Sequence, residues 1–135
     1  MPYLVDSDWV IDYLAGVPEA LALLERLANE GLAISVVTYM EVYEGVARAE
    51  RPEEAGMRFD ALVEAVPLLP ISPAIARRCA VLRETLRRQG KRVNRCALDL
   101  LIAATALDHE LTLVTRNLAD YADIPDLETY GGEKR

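Results

Sequence analysis

The chain has little of what many enzymes and small stapled folds depend on. It carries 2 cysteines, Cys79 and Cys96, and 1 histidine, His109. Neither cysteine belongs to a CxxC or CxxH spacing, which excludes a zinc site or disulfide scaffold read from spacing and points to reduced thiols and a cytoplasmic setting. The lone histidine, at a predicted helix end, reads as a capping or surface residue, so Ser-His-Asp and Cys-His catalysis lack their base. No GxxxxGK[ST] or GxGxxG sequence is present, so nucleotide loops of those kinds are unsupported. No apolar run approaches the ~20 residues of a membrane span. The opening residues show no basic stretch before an apolar one, so no secretory signal is visible.

What is present is one domain's worth of foldable chain. The 135 residues are 52% hydrophobic and 27% charged, which excludes wholesale disorder. A domain of this size buries roughly two-thirds of the surface exposed on unfolding and needs no staple. Net charge is -7, but its distribution is uneven. Residues 1–70 hold 13 acids and 4 bases, residues 71–98 hold 1 acid and 8 bases, and residues 99–135 hold 8 acids and 3 bases. The basic middle segment reads either as a solvated helix face or as a phosphate-binding flank beside an acidic site.

Strand and helix patterns alternate along the chain. Tyr3-Leu4-Val5 is a buried strand ending at Asp6, and Ser7 or Asp8 can cap the helix that follows. Pro18 opens a second helix, closed by Gly31. Leu32-Ala33-Ile34-Ser35 is the second strand, followed by helices over 38–51 and from Pro52. Residues 66–70 hold two prolines and can form only an edge strand. Ser72-Pro73 starts a helix running to Gln89, and Ala97 to His109 is an apolar helix. Residues 111–115 form a strand, a short turn runs from Asn117 to Tyr121, and a last strand lies at 127–129. This alternation predicts an α/β fold, a three-layer α/β/α sandwich with a central parallel sheet. Such sheets bind ligands at the carboxyl ends of their strands.

Acidic residues fall at that rim. Asp6 ends the first strand, and Thr115, Asn117 and Asp120 follow a later one. Glu41 lies a turn into the helix after the second strand, and Asp99 lies in the first turn of an otherwise apolar helix. Each acid alone is explained as a solvated residue or as a partner of a helix N-terminus. Together they would repel one another unless protonated or neutralised by a cation. Oxygen-only donors without a usable histidine suit Mg²⁺ or Mn²⁺.

The ordered segments Leu4-Val5-Asp6-Ser7-Asp8 with Ile11-Asp12-Tyr13-Leu14, then 34–45, 99–106 and 113–121, resemble a PIN-domain ribonuclease of the VapC toxin type, over nearly the whole chain. The resemblance implies an Mg²⁺-dependent endoribonuclease. Its metal site and catalytic acids would be Asp6, Glu41, Asp99 and Asp120, with Thr115 and Asn117 orienting ligands or waters. It implies water as the attacking group, leaving 5′-phosphate and 3′-hydroxyl ends. Many relatives carry a further acid just before the position of Asp99, where this chain has Cys96 and Ala97. Asp8 either compensates or serves as a helix cap.

Further readings attach to the substrate and partners. Arg77, Arg83, Arg87, Arg88, Lys91, Arg92 and Arg95 are candidate RNA contacts, as is Arg116, which reads equally as a surface residue. The resemblance implies a homodimer silenced by a VapB-type antitoxin, and Trp9, Tyr13, Tyr39 and Tyr43 are aromatic residues for such a partner or for the core. Two other readings stand beside it. Asp6-Ser7-Asp8-Trp9-Val10 fits the DxDx[TV] pattern of haloacid-dehalogenase-like phosphatases, although Lys91 and Lys134 are the only lysines. A non-catalytic PIN-like module binding RNA or protein is the other.

Overall fold

The structure is a computed structural model that describes residues 2–90 and 97–132. Five short strands form its sheet: β1 (Tyr3–Val5), β2 (Leu32–Ser35), β3 (Leu68–Leu69), β4 (Thr112–Val114) and β5 (Thr129–Tyr130). Seven helices are described: α1 (Ser7–Leu14), α2 (Pro18–Glu30), α3 (Val36–Arg48), α4 (Pro52–Ala65), α5 (Pro73–Arg88), α6 (Ala97–Asp108) and α7 (Leu118–Tyr121). Every strand pair is parallel, with Leu4 opposite both Ala33 and Leu113. The spatial order is β3-β2-β1-β4-β5. The chain therefore builds outward from β1 in one direction and later returns to its other side. The order reverses between β1 and β4, and in open parallel sheets that reversal opens a crevice at the strands' carboxyl ends.

Side chains alternate across each strand and divide the core in two. Leu4, Ala33 and Leu113 face one layer, packed by α5, α6 and Tyr121. Val5, Leu32, Ile34 and Val114 face the other, with buried residues of α1, α2, α3 and α4. This is the expected three-layer α/β/α sandwich. Helix starts follow the sequence signals. Proline occupies the first turn of α2, α4 and α5, where its missing N–H costs nothing. The Ser72 hydroxyl accepts from the Ile75 amide at 3.1 Å. Gly31 ends α2 at φ 116°, a conformation L side chains rarely adopt.

Several boundaries differ from those read in the sequence. α3 starts at Val36 rather than Thr38, because Ser35 caps it and its hydroxyl accepts from the Thr38 amide at 3.1 Å. The last strand lies at Thr129–Tyr130, since the chain is still turning at Asp126 (φ 67°) and Leu127. Among the described residues, no helix is long and apolar enough to cross a membrane.

Candidate active site

Asp6 stands at the β1/β4 reversal. Its amide continues the ladder by donating to the Val114 carbonyl at 2.9 Å. Its backbone is still extended (φ -79°, ψ 164°), so Asp6 itself caps α1, where Ser7 or Asp8 had been expected. The carboxylate accepts from the Ser7 amide through Oδ1 and from the Thr115 hydroxyl through Oδ2, both at 2.8 Å. Thr115 is fully buried, and its amide donates to the Tyr130 carbonyl at 3.0 Å. Asp6 is only 5% exposed. Burial pushes its carboxyl up to about 6, and the charges of Asp8 and Asp99 push the same way against the two hydrogen bonds.

The other candidate acids come from separate elements, and the charge of Asp99 reaches both Asp6 and Glu41. Asp99 lies in the first turn of α6, a largely apolar helix. Its Oδ1 accepts from the Tyr121 hydroxyl at 3.2 Å. Glu41 lies half-buried on α3 and accepts from the Ser7 hydroxyl. Its carboxyl is raised by burial first and then by Asp99, Glu44 and Asp8. Asp120 is half-buried on α7, directly before Tyr121. Exposed Asn117 precedes that helix, and its amide donates to the Thr115 hydroxyl oxygen at 3.1 Å. Two participants were missed by sequence reasoning, Tyr121 and Ser7. A buried tyrosine next to a candidate acid was the available signal for the first; the second is read in the sequence only as a helix cap.

Asp99 lies within electrostatic reach of both Asp6 and Glu41, and the donor set is oxygen only, which suits a hard divalent cation. Among the described residues, however, no three Asp, Glu, His or Cys side chains are gathered closely enough to hold one ion. An ion shared by three of these acids requires their side chains to turn toward one another.

Asp8 and Arg116 are engaged in another way. Asp8 accepts from the Trp9 amide at 2.7 Å and from the Arg116 amide at 3.2 Å, so both oxygens hold backbone. The Arg116 guanidinium pairs with Asp12 and lies over the Trp9 ring. Trp9 is 4% exposed and belongs to the core, so it offers no partner surface. Tyr13 and Tyr39 pack against the same core, while Tyr43 is half exposed and stacks on Tyr39. His109 is an exposed residue just past α6, as expected.

α5 turns Ile75, Leu82 and Leu86 inward and leaves Arg77, Arg83, Arg87 and Arg88 on its exposed side. Glu84 takes up part of that charge, binding Arg87 at 2.6 Å and Arg88 at 2.8 Å. Lys91, Arg92, Arg95 and Cys96 lie outside the described residues. Cys79 is a free thiol half-buried beneath Arg83, and burial pushes its thiol up.

Comparison with known proteins identifies the family and agrees with the fold. The PIN domain family profile matches residues 3–126. Ribonuclease VapC10 of Mycobacterium tuberculosis (strain ATCC 25618 / H37Rv) is 39% identical over 117 residues, covering 85% of this chain and 82% of that protein. Ribonuclease VapC1 of Haemophilus influenzae (strain R2866) is 28% identical over 130 residues, covering 95% and 96%. Among solved structures, VapBC2 from Rickettsia felis bound to a promoter DNA fragment matches with a TM-score of 0.85 at 26% identity, covering 96% of this chain and 98% of that one. VapBC-1 from nontypeable Haemophilus influenzae matches at 0.81 and 27%, covering 96% and 97%. These matches displace the phosphatase reading of Asp6-Ser7-Asp8: the chain belongs to the PIN-domain family, within its VapC group.

Proposed function

We propose that this chain is a divalent-metal-dependent endoribonuclease and the toxin of a two-component toxin–antitoxin pair, acting in the cytoplasm. One observation carries the reading. A buried aspartate sits at the sheet's reversal point, hydrogen-bonded to Thr115 and raised to about 6, with the α6 acid Asp99 acting on both it and the α3 acid Glu41. Carboxylates with raised pKa values that converge in a crevice are concentrated at functional sites. That its relatives are ribonucleases by name supports the substrate class.

In this reading Asp6, Asp99, Glu41 and Asp120 hold Mg²⁺ or Mn²⁺. The bound ion supplies an activated water and offsets charge on the scissile phosphate. Thr115 and the Ser7 amide fix the Asp6 carboxylate, and Tyr121 orients Asp99. Asn117, whose amide holds the Thr115 hydroxyl oxygen, orients ligands or waters. RNA is held away from the acids by Arg77, Arg83, Arg87 and Arg88, joined by Lys91, Arg92 and Arg95 of the neighbouring basic segment.

The partners follow from the same reading: a second copy of the chain and a VapB-type antitoxin. Two structures similar to this chain are VapBC complexes. An apolar groove of about 320 Å³ between α1, α3 and α4 is lined by Ile11, Leu14, Val42 and Val46. Of these, Ile11 is half exposed. An apolar antitoxin segment seats here, with an arginine reaching the acids as a charge-assisted contact.

The test is cleavage of single-stranded RNA by the purified chain. Cleavage should need Mg²⁺ or Mn²⁺, stop with EDTA, and leave 5′-phosphate and 3′-hydroxyl ends. RNA that is bound but never cut under these conditions would establish the non-catalytic module instead.

A further inference from the structure

The segment after β4 is fastened to α1 at three successive levels. Thr115 donates its hydroxyl to Asp6 at 2.8 Å. The next amide, that of Arg116, donates to Asp8 Oδ2 at 3.2 Å. The Arg116 side chain then returns to α1 one turn further on, where Nη1 pairs with Asp12. Its Nη2 lies 3.7 Å from Glu19 at the start of α2. Between these carboxylates the guanidinium sits 3.8 Å from the centroid of the Trp9 ring. Trp9 is itself fixed in the core, so the arginine rests on a rigid platform. A guanidinium satisfies both demands because it is a planar fork that stacks and pairs at once.

Only two soft dihedrals per residue separate the Thr115 hydroxyl from this anchor. We infer that Arg116 is a positioning residue: held by Asp12 and Trp9, it keeps the 115–117 segment on α1 so that Thr115 stays on Asp6, and it does not contact the substrate phosphate. The inference rests on the nuclease reading for its functional consequence. Asp8 belongs to the same clasp, since both its oxygens hold backbone amides.

Kinetics separate this role from direct phosphate contact, because the two assign opposite effects to Asp12. As a positioning pair, Arg116→Ala and Asp12→Asn should each lower kcat by about tenfold or more, with KM for RNA within about twofold; misplacement of about 1 Å can cost ~100-fold. The double variant should be no worse than the poorer single, and Arg116→Lys should recover part of kcat. If Arg116 binds phosphate instead, Arg116→Ala raises KM and flattens its salt dependence. Asp12→Asn, by freeing the guanidinium, then lowers KM, and that pattern overturns the inference.

Trp9 is the only tryptophan, so its emission in RNA-free protein reports the clasp directly. Emission should change in Arg116→Ala and in Asp12→Asn while far-UV circular dichroism stays the same; unchanged emission in both overturns the clasp. Asp12→Asn is the milder variant and decides the question if Arg116→Ala does not fold. A wild-type chain that cuts no RNA removes the nuclease reading and the positioning role with it. A cutting chain with additive Asp12 and Arg116 effects removes the positioning role alone.

Discussion

Asp6 is the residue at which folding and chemistry conflict. Its carboxyl, ordinarily at 3.8, is raised to about 6 in the folded chain. The folded state therefore binds this proton more tightly than the unfolded one. The associated stability is fully present below about 3.8 and is lost as pH rises through about 6. A shift near two units corresponds to about 3 kcal/mol. In EDTA, Asp6→Asn should melt several degrees above wild type at pH 8, and the gap should close by about pH 4. Equal melting at pH 8 would mean that Asp6 is not held charged against burial. Thr115→Val, nearly isosteric, removes the hydroxyl that favours the charged form. It should move the acid limb of the cleavage pH profile to higher pH; an unmoved limb would contradict the assigned hydrogen bond. The sequence showed Asp6 by its place after a strand. It could not show that Asp6, rather than Ser7, caps α1, because that depends on the residue at which the chain leaves extended conformation.

At the scale of elements, α5 and α6 divide two tasks. α6 is mostly buried and largely apolar, so Asp99 in its first turn was conspicuous in the sequence. Its partner Tyr121 was not, because the contact is made across the fold by a four-residue helix. Asp99→Asn should leave thermal unfolding cooperative and the Tyr121 contact in place, yet abolish cleavage in Mg²⁺. Retained activity would remove Asp99 from the site. α5 shows its arginines plainly in sequence, but not that Glu84 binds two of them. Arg87→Ala with Arg88→Ala should weaken RNA binding and flatten its salt dependence, whereas Glu84→Gln should tighten binding at low salt. A salt titration unchanged in both would detach α5 from the substrate. Helix starts at Pro18, Pro52 and Pro73 were legible because proline acts locally. The last strand was displaced by a turn at Asp126 that no glycine marked.

For the whole molecule, alternating strand and helix patterns were enough to give a parallel sheet between helical layers. The order β3-β2-β1-β4-β5 was not legible, since the side of β1 on which the chain returns is settled by packing over long sequence distances. That order matters most for function. It sets Val5 beside Val114, and so Asp6 beside Thr115, at the one place where the sheet reverses. A chain of net charge -7 carries acids at the crevice and a run of bases on α5, the charge pattern from which the proposed cation and RNA binding are argued. The carboxylates remain too loosely gathered to hold an ion without side-chain movement. The decisive measurement is therefore a calorimetric titration of Mn²⁺ into the RNA-free chain at pH 7.5, set against Asp6→Asn and Asp99→Asn. Saturable binding to wild type that is lost in both variants is the predicted result; equal binding by all three proteins would contradict a cation site built on these acids.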